Sequence, residues 1–195
     1  MNLKDLLTAE FIDSVPRPAA GIGIEIELPI VPVGGGAVPR ALAESLTAFI
    51  QTMGFYPQRV DNDGVICELA DDGGTLMSFE TSWNTLELSL KSEHDLLTLY
   101  RKYASALLPV QDFLLSQGYF LCGRGVNPNY AQMDPAALNT DVLQAKSQYL
   151  SRNTWHHDGD IFHALCASAQ THLDAVSMED YLKLFALLRR SYVFE

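Results

Sequence analysis

Over Gly21–Leu28 the chain alternates without a break. Ile22, Ile24, Ile26 and Leu28 take every second position, and Gly21, Gly23, Glu25 and Glu27 the positions between. Strand side chains point to opposite faces in turn, so the pattern predicts a β-strand with one aliphatic face. The other face carries two glycines and then two carboxylates. The two acids are one strand repeat apart, about 7 Å at roughly 3.3 Å rise per residue. Carboxylates that close resist ionising together unless a cation lies between them. Mg²⁺ takes oxygen ligands and keeps several waters, so a few carboxylates plus substrate phosphates suffice for it. The glycines would let a ligand approach the backbone. An edge strand with a wet, acidic outer face also fits these residues.

More acids fall on predicted strands. Residues 55–90 read as a β-meander, with turn chemistry at Asp61-Asn62-Asp63-Gly64 and Asp71-Asp72-Gly73-Gly74 and strands at 65–69, 75–80 and 85–90. Glu80 ends one of these strands. Glu87 lies on the polar face of the last, where Leu86, Leu88 and Leu90 form the other face. Lys and Arg are nearly absent from these strands, whereas a merely solvated face usually mixes both signs. Glu25, Glu27, Glu80 and Glu87 on one side of a sheet would make an acidic floor suited to divalent cations. A further strand over 166–173 puts Ser168, Gln170 and His172 on one face, with Asp174 just beyond. Gln170 and His172 could contact a metal, a nucleotide phosphate or a polar substrate, though a strand histidine is often only structural.

Strands at 21–30 and 119–123 complete the set, and Pro29, Pro32 and Gly34–Gly36 predict a flexible loop. Helical periodicity appears over 3–13, from Pro39 for about four turns, over 93–117 with a kink at Pro109, over 136–150, and from Ser177 through Leu188. Tight turns between strands favour an antiparallel sheet with the helices packed mainly on one face, an α+β architecture. At 195 residues the chain fits a single domain spanning 1–195.

The formal net charge is −11, from 13 Lys and Arg against 24 Asp and Glu. That balance argues against nucleic acid as the main partner, since phosphate neutralisation needs a basic surface. ATP is not excluded, because a divalent cation reverses the local sign. Cys67, Cys122 and Cys166 are sparse and lie in apolar stretches, which predicts reduced, buried thiols and a cytoplasmic location. No apolar run is long enough to span a bilayer, so no membrane partner is expected. His156, His157 and His163 fit no zinc spacing, and Gly123-Arg124-Gly125 is too short for a phosphate loop.

Taken in order, these segments resemble the plant and proteobacterial type of glutamate–cysteine ligase, a carboxylate–amine ligase with the glutamine-synthetase-like catalytic fold. Gly23-Ile24-Glu25-Ile26-Glu27 resembles that family's opening glycine–x–glutamate–x–glutamate strand. Met77-Ser78-Phe79-Glu80 with Leu86-Glu87-Leu88-Ser89 resembles its paired-glutamate hairpin. Leu121-Cys122-Gly123 with Asn127-Pro128-Asn129-Tyr130 resembles its short strand and proline–aromatic loop. Tyr149-Leu150-Ser151-Arg152-Asn153 resembles the segment before its substrate arginine, and Ala169-Gln170-Thr171-His172-Leu173-Asp174 its glutamine-bearing strand. The resemblance covers about residues 20–190 and matches the N-terminal half of such a catalytic domain.

It implies an ATP- and Mg²⁺-dependent ligase of glutathione biosynthesis that activates a glutamate-like carboxylate as an acyl phosphate and joins it to an amine. Glu25, Glu27 and Glu87 would be metal ligands. Glu80, Gln170 and His172 would contact substrate or nucleotide, and Arg152 would be the catalytic substrate or phosphate contact. Two departures stand out. The hairpin link Thr81-Ser82-Trp83-Asn84 lacks the proline and glycines expected there, and Trp83 could narrow the amino-acid pocket. Members of the family also run well beyond this length, which implies either a fragment or a short form whose site a second chain or another copy of itself (a homo-oligomer) completes. The alternative is a non-catalytic binding or regulatory module that retains the acidic sheet.

Overall fold

The computed structural model describes residues 2–9, 21–134, 138–152 and 164–191. A short helix, α1 (Leu3–Thr8), precedes the central strand β1 (Ile22–Pro32). Helix α2 (Arg40–Thr52) follows, then a meander of β2 (Tyr56–Val60), β3 (Ile66–Ala70), β4 (Leu76–Phe79) and β5 (Thr85–Glu93). The long helix α3 (Leu96–Ser116), β6 (Tyr119–Leu121), α4 (Asp141–Arg152), β7 (Ala169–Leu173) and a last helix, α5 (Met178–Ser191), complete the described elements.

The strands form one seven-stranded sheet in the order β2-β3-β4-β5-β1-β6, with β7 also on β1. Every pairing is antiparallel. The fold is therefore α+β, as the strand and turn pattern predicts. β1 is no edge strand. One of its sides is occupied by β5 along Ile22–Pro29; the other is shared by β7 along Ile22–Ile26 and β6 along Ile30–Pro32.

That shared side explains why β1 runs through Pro29 and Pro32, where the sequence predicts a loop. The Glu27 N–H donates toward the β7 side, to the Ser168 carbonyl, and the Pro29 carbonyl accepts on the β6 side from Cys122 N–H. The N–H that Pro29 lacks thus falls in the gap between β7 and β6, where no ladder bond is lost.

The aliphatic face of β1 continues across its neighbours. Leu86, Leu88 and Leu90 of β5, Met77 and Phe79 of β4 and Cys67 and Leu69 of β3 are all buried. Leu42, Leu46 and Ile50 of α2 and Leu99, Val110 and Leu114 of α3 close over them. Each such side chain contributes about 1.5–3 kcal/mol on burial. Phe49 and Phe113 stack with ring centroids 4.5 Å apart and fix α2 against α3. α3 is capped by Asp95, whose carboxylate accepts from the N–H groups of Leu97 and Thr98, and it continues through Pro109.

Smaller differences have local causes. β2 was not separable within the meander, because it is exposed along its whole length and contains Pro57; it is the outermost strand beside β3. The strand predicted over 166–173 begins only at Ala169; Cys166 forms an isolated bridge to Val126 instead. Cys67 and Cys122 are buried and Cys166 is half-buried, all as free thiols. Residues 10–20, 135–137, 153–163 and 192–195 lie outside the described residues, so the end of the helix predicted over 3–13 and the His156, His157 and His163 segment do too. Among the described residues no helix is long and apolar enough to cross a membrane.

Candidate functional site

With helices α2 and α3 on one face of the sheet, the opposite face is left to the polar side chains of the same strands. Glu27 of β1 lies directly opposite Glu87 of β5, and Ser78 of β4 lies opposite Glu87 in turn. Glu27 N–H points to Ser168, not to β5, so Glu27 and Glu87 form a non-hydrogen-bonded pair, the type with the closest side chains. Like charges so placed destabilise a sheet. Glu80, the first residue after β4, is anchored by its N–H donating to the Thr85 carbonyl at 3.1 Å. This brings a third carboxylate in: one oxygen each of Glu27, Glu80 and Glu87 lies within 4.8 Å of the others. All three residues are half-buried.

Neighbours hold two of the acids in place. Ser168 N–H donates to Glu27 Oε2 at 2.7 Å, and Ser89 Oγ donates to Glu87 Oε1 at 2.7 Å. Glu80 responds to the crowding through its proton. Burial, then a hydrogen bond to Glu87 and the charges of Glu87 and Glu27, raise its pKa from 4.5 to about 7, against an opposing pull from Lys146. Near neutral pH Glu80 therefore still carries its proton in part of the molecules, in place of a further negative charge. Thr85, two residues before Glu87 on the same strand face, is buried and its Oγ1 has no hydrogen-bond partner.

The remaining predicted residues divide. Glu25 stands one repeat from Glu27, opposite Ser89 and Gln170, and its Oε1 lies 3.3 Å from His172 Nε2. The carboxylates that lie within 4.8 Å of one another thus include Glu80, which follows β4 at the hairpin turn, and not Glu25, which is beside His172 of β7. Gln170 and His172 do share the acidic face, paired with Glu25 and Gly23, and Gln170 Nε2 donates to Ser168 Oγ at 3.3 Å. Arg152 is exposed at the end of α4, and no contact among the described residues joins it to the carboxylates.

Two expectations are corrected. Gly21 and Gly23 do not leave room for a ligand. A Cβ on Gly21 would meet Asp174 Oδ2 and Ser92 Cβ at 3.1 Å, and one on Gly23 would meet the Leu90 carbonyl at 3.2 Å. They admit neighbouring strands at the irregular register between Ile22 and Ile24. Trp83 is not over the acids either. It packs against Phe79 at 4.8 Å with rings at 74°, on the core side.

Sequence reading missed Lys146, and placed Ser89 and Ser168 on polar strand faces without giving either a part in holding the acids. Ser89 was legible, since it shares a strand face with Glu87. Ser168 and Lys146 reach the acids through pairing of β7 with β1 and placement of α4, which no local pattern encodes.

The donor set is all hard oxygen, carboxylate with a nearby hydroxyl, which suits Mg²⁺, Mn²⁺ or Ca²⁺ over softer metals. A divalent cation would displace the Glu80 proton and offset the Glu27–Glu87 repulsion. No model of a known protein family matches this chain, and no curated protein matches it at a significant level.

Proposed function

We propose that this chain is an ATP- and Mg²⁺-dependent carboxylate–amine ligase of the glutamate–cysteine ligase type, built on a partial glutamine-synthetase-like sheet. The observation that carries this reading is the convergence of Glu27, Glu80 and Glu87 on the face of an antiparallel sheet opposite α2 and α3. These three carboxylates would hold Mg²⁺, which when bound would neutralise charge on nucleotide phosphates during phosphoryl transfer. In the reaction a substrate carboxylate oxygen attacks the γ-phosphorus of ATP and ADP leaves. The amine nitrogen then attacks the acyl phosphate, phosphate departs, and the amide nitrogen loses a proton. Gln170 and His172, on the same face beyond Glu25, would contact the amino-acid or nucleotide portion, and Glu25 would join them on release from His172. Arg152 would serve as a phosphate or substrate contact only after moving from its exposed position.

That position favours a second reading, a cation-binding module without turnover. ADP release from the chain with Mg-ATP, glutamate and a panel of amines, cysteine included, separates the two. The ligase reading expects ADP only when both acid and amine are present. Cation binding without ADP would leave the module.

A further inference from the structure

We propose that the Thr85 hydroxyl is a further protein ligand of the divalent cation at Glu27, Glu80 and Glu87, and so sets how few waters that ion keeps. The inference rests on the reading of these carboxylates as a cation site and extends it to a neutral oxygen. Thr85 opens β5 on the strand face of Glu87, opposite to that of the core residue Leu86. The β1–β5 register sets it across from Pro29, with Glu27 on the diagonal. The β4–β5 register, carried one residue past Phe79 and Leu86, sets it across from Glu80, whose N–H donates to the Thr85 carbonyl at 3.1 Å. Thr85 therefore adjoins Glu80 across the sheet, Glu87 along its own strand and Glu27 on the diagonal. Cβ atoms of such neighbours lie about 4.5–8 Å apart, a span that glutamate side chains close.

The hydroxyl supplies a second observation, independent of the acids. Thr85 is 1% exposed, and its Oγ1 has no hydrogen-bond partner among the described residues. A buried hydroxyl carries one O–H donor and two lone pairs, and leaving them unpaired costs free energy. Pro29, buried on one side of it, has no polar side-chain atom to offer. Ser89 and Ser168 differ from Thr85, because each already donates to an acid: Ser89 Oγ to Glu87 and Ser168 N–H to Glu27. An ion within reach of the three carboxylates gives a lone pair of Thr85 Oγ1 the partner it lacks, and the hydroxyl keeps its proton. Serine and threonine hydroxyls hold Mg²⁺ in this way in phosphate-binding loops. Three carboxylates and one hydroxyl fill about four of the six positions of an octahedral ion, leaving about two for substrate oxygens or water. An uncharged ligand adds coordination without adding to the like charge of Glu27 and Glu87.

The test compares Mn²⁺ binding by the full chain with binding by Thr85→Val and Thr85→Ser, using electron paramagnetic resonance. The bound-ion signal is also recorded in water enriched in a magnetic oxygen isotope, which broadens it according to the number of waters the ion keeps. Thr85→Val removes the hydroxyl and keeps the branched shape. It is expected to weaken Mn²⁺ binding at least about 10-fold and to add roughly one water to the bound ion. Its Tm in cation-free buffer should equal or exceed that of the wild type, because an unpaired buried hydroxyl is gone. Thr85→Ser keeps the oxygen, and should keep most of the wild-type affinity and the wild-type water count. Wild-type affinity and water count in Thr85→Val overturn the proposal and leave the carboxylate site and the ligase reading standing. An equal loss of affinity in Thr85→Ser also overturns it, since the hydroxyl is then not the cause. No saturable uptake by the wild type overturns the proposal and the cation site together.

Discussion

Glu87→Gln is expected to reduce amine-dependent ADP release at least about 100-fold, more than the loss usual for an outer-shell residue of a metal site. Glu87 is the carboxylate the other two share. It faces Glu27 across the β1–β5 pair and takes the hydrogen bond from protonated Glu80. Glutamine preserves its volume and one oxygen but removes the charge a divalent cation needs. The same substitution should raise stability in cation-free buffer, because it removes one of two like charges placed directly opposite each other. Opposite effects on activity and stability mark a site built for a ligand. A merely structural glutamate would lose both together. The check is ADP release and thermal melting on the same preparations, with and without Mg²⁺. Full activity in Glu87→Gln would remove the cluster from the reaction.

A second large effect concerns pH. In the folded chain Glu80 titrates at about 7, against 4.5 for an ordinary glutamate. Between these values the folded state holds a proton that the unfolded state has released. Stability from this group is therefore fully present below 4.5 and falls as pH rises, until the loss is complete just above 7. Solvent screening of a half-exposed site reduces the full linkage value to about 1–2 kcal/mol. A chain of this size should show that as a difference in Tm of roughly 2–8 °C. Glu80→Gln, which mimics the protonated form, should melt with the wild type near pH 4.5 and above it at pH 8, in cation-free buffer. Saturating Mg²⁺ should raise the wild-type Tm at pH 8 and close much of that gap. A difference of equal size at both pH values would mean that the Glu80 proton is not the cause.

How much of this was legible in the sequence follows from the range of each interaction. The alternation in β1 and β5 gave the strands, their faces and the positions of Glu25, Glu27 and Glu87, because period-2 patterning is a local property. The Asp-Gly turns were equally local. The pairing partners were not. Nothing within Ile22–Pro32 states that β7 and β6 share one of its sides, and without that fact Pro29 and Pro32 read as loop. For the same reason spacing alone grouped Glu25 with Glu27, its neighbour on the strand. The fold groups Glu27 with Glu87 and Glu80, its neighbours across the sheet. The glycines illustrate the opposite failure. Their small size was read as space for a ligand, whereas Ser92, Asp174 and the Leu90 carbonyl already occupy it.

The central claim is that Glu27, Glu80 and Glu87 form a divalent-cation site, and the most direct measurement is titration of the chain with Mn²⁺, followed by electron paramagnetic resonance of the free ion. Mn²⁺ reports on an oxygen-ligand site that Mg²⁺ would share. The account predicts saturable uptake of one ion per chain, competed by Mg²⁺, and tighter at pH 8 than at pH 6 because the Glu80 proton must leave. It predicts loss of that uptake in Glu27→Gln and Glu87→Gln, with Glu44→Gln on the outer surface of α2 unchanged. No saturable uptake at millimolar Mn²⁺, or uptake that survives both substitutions, would contradict it.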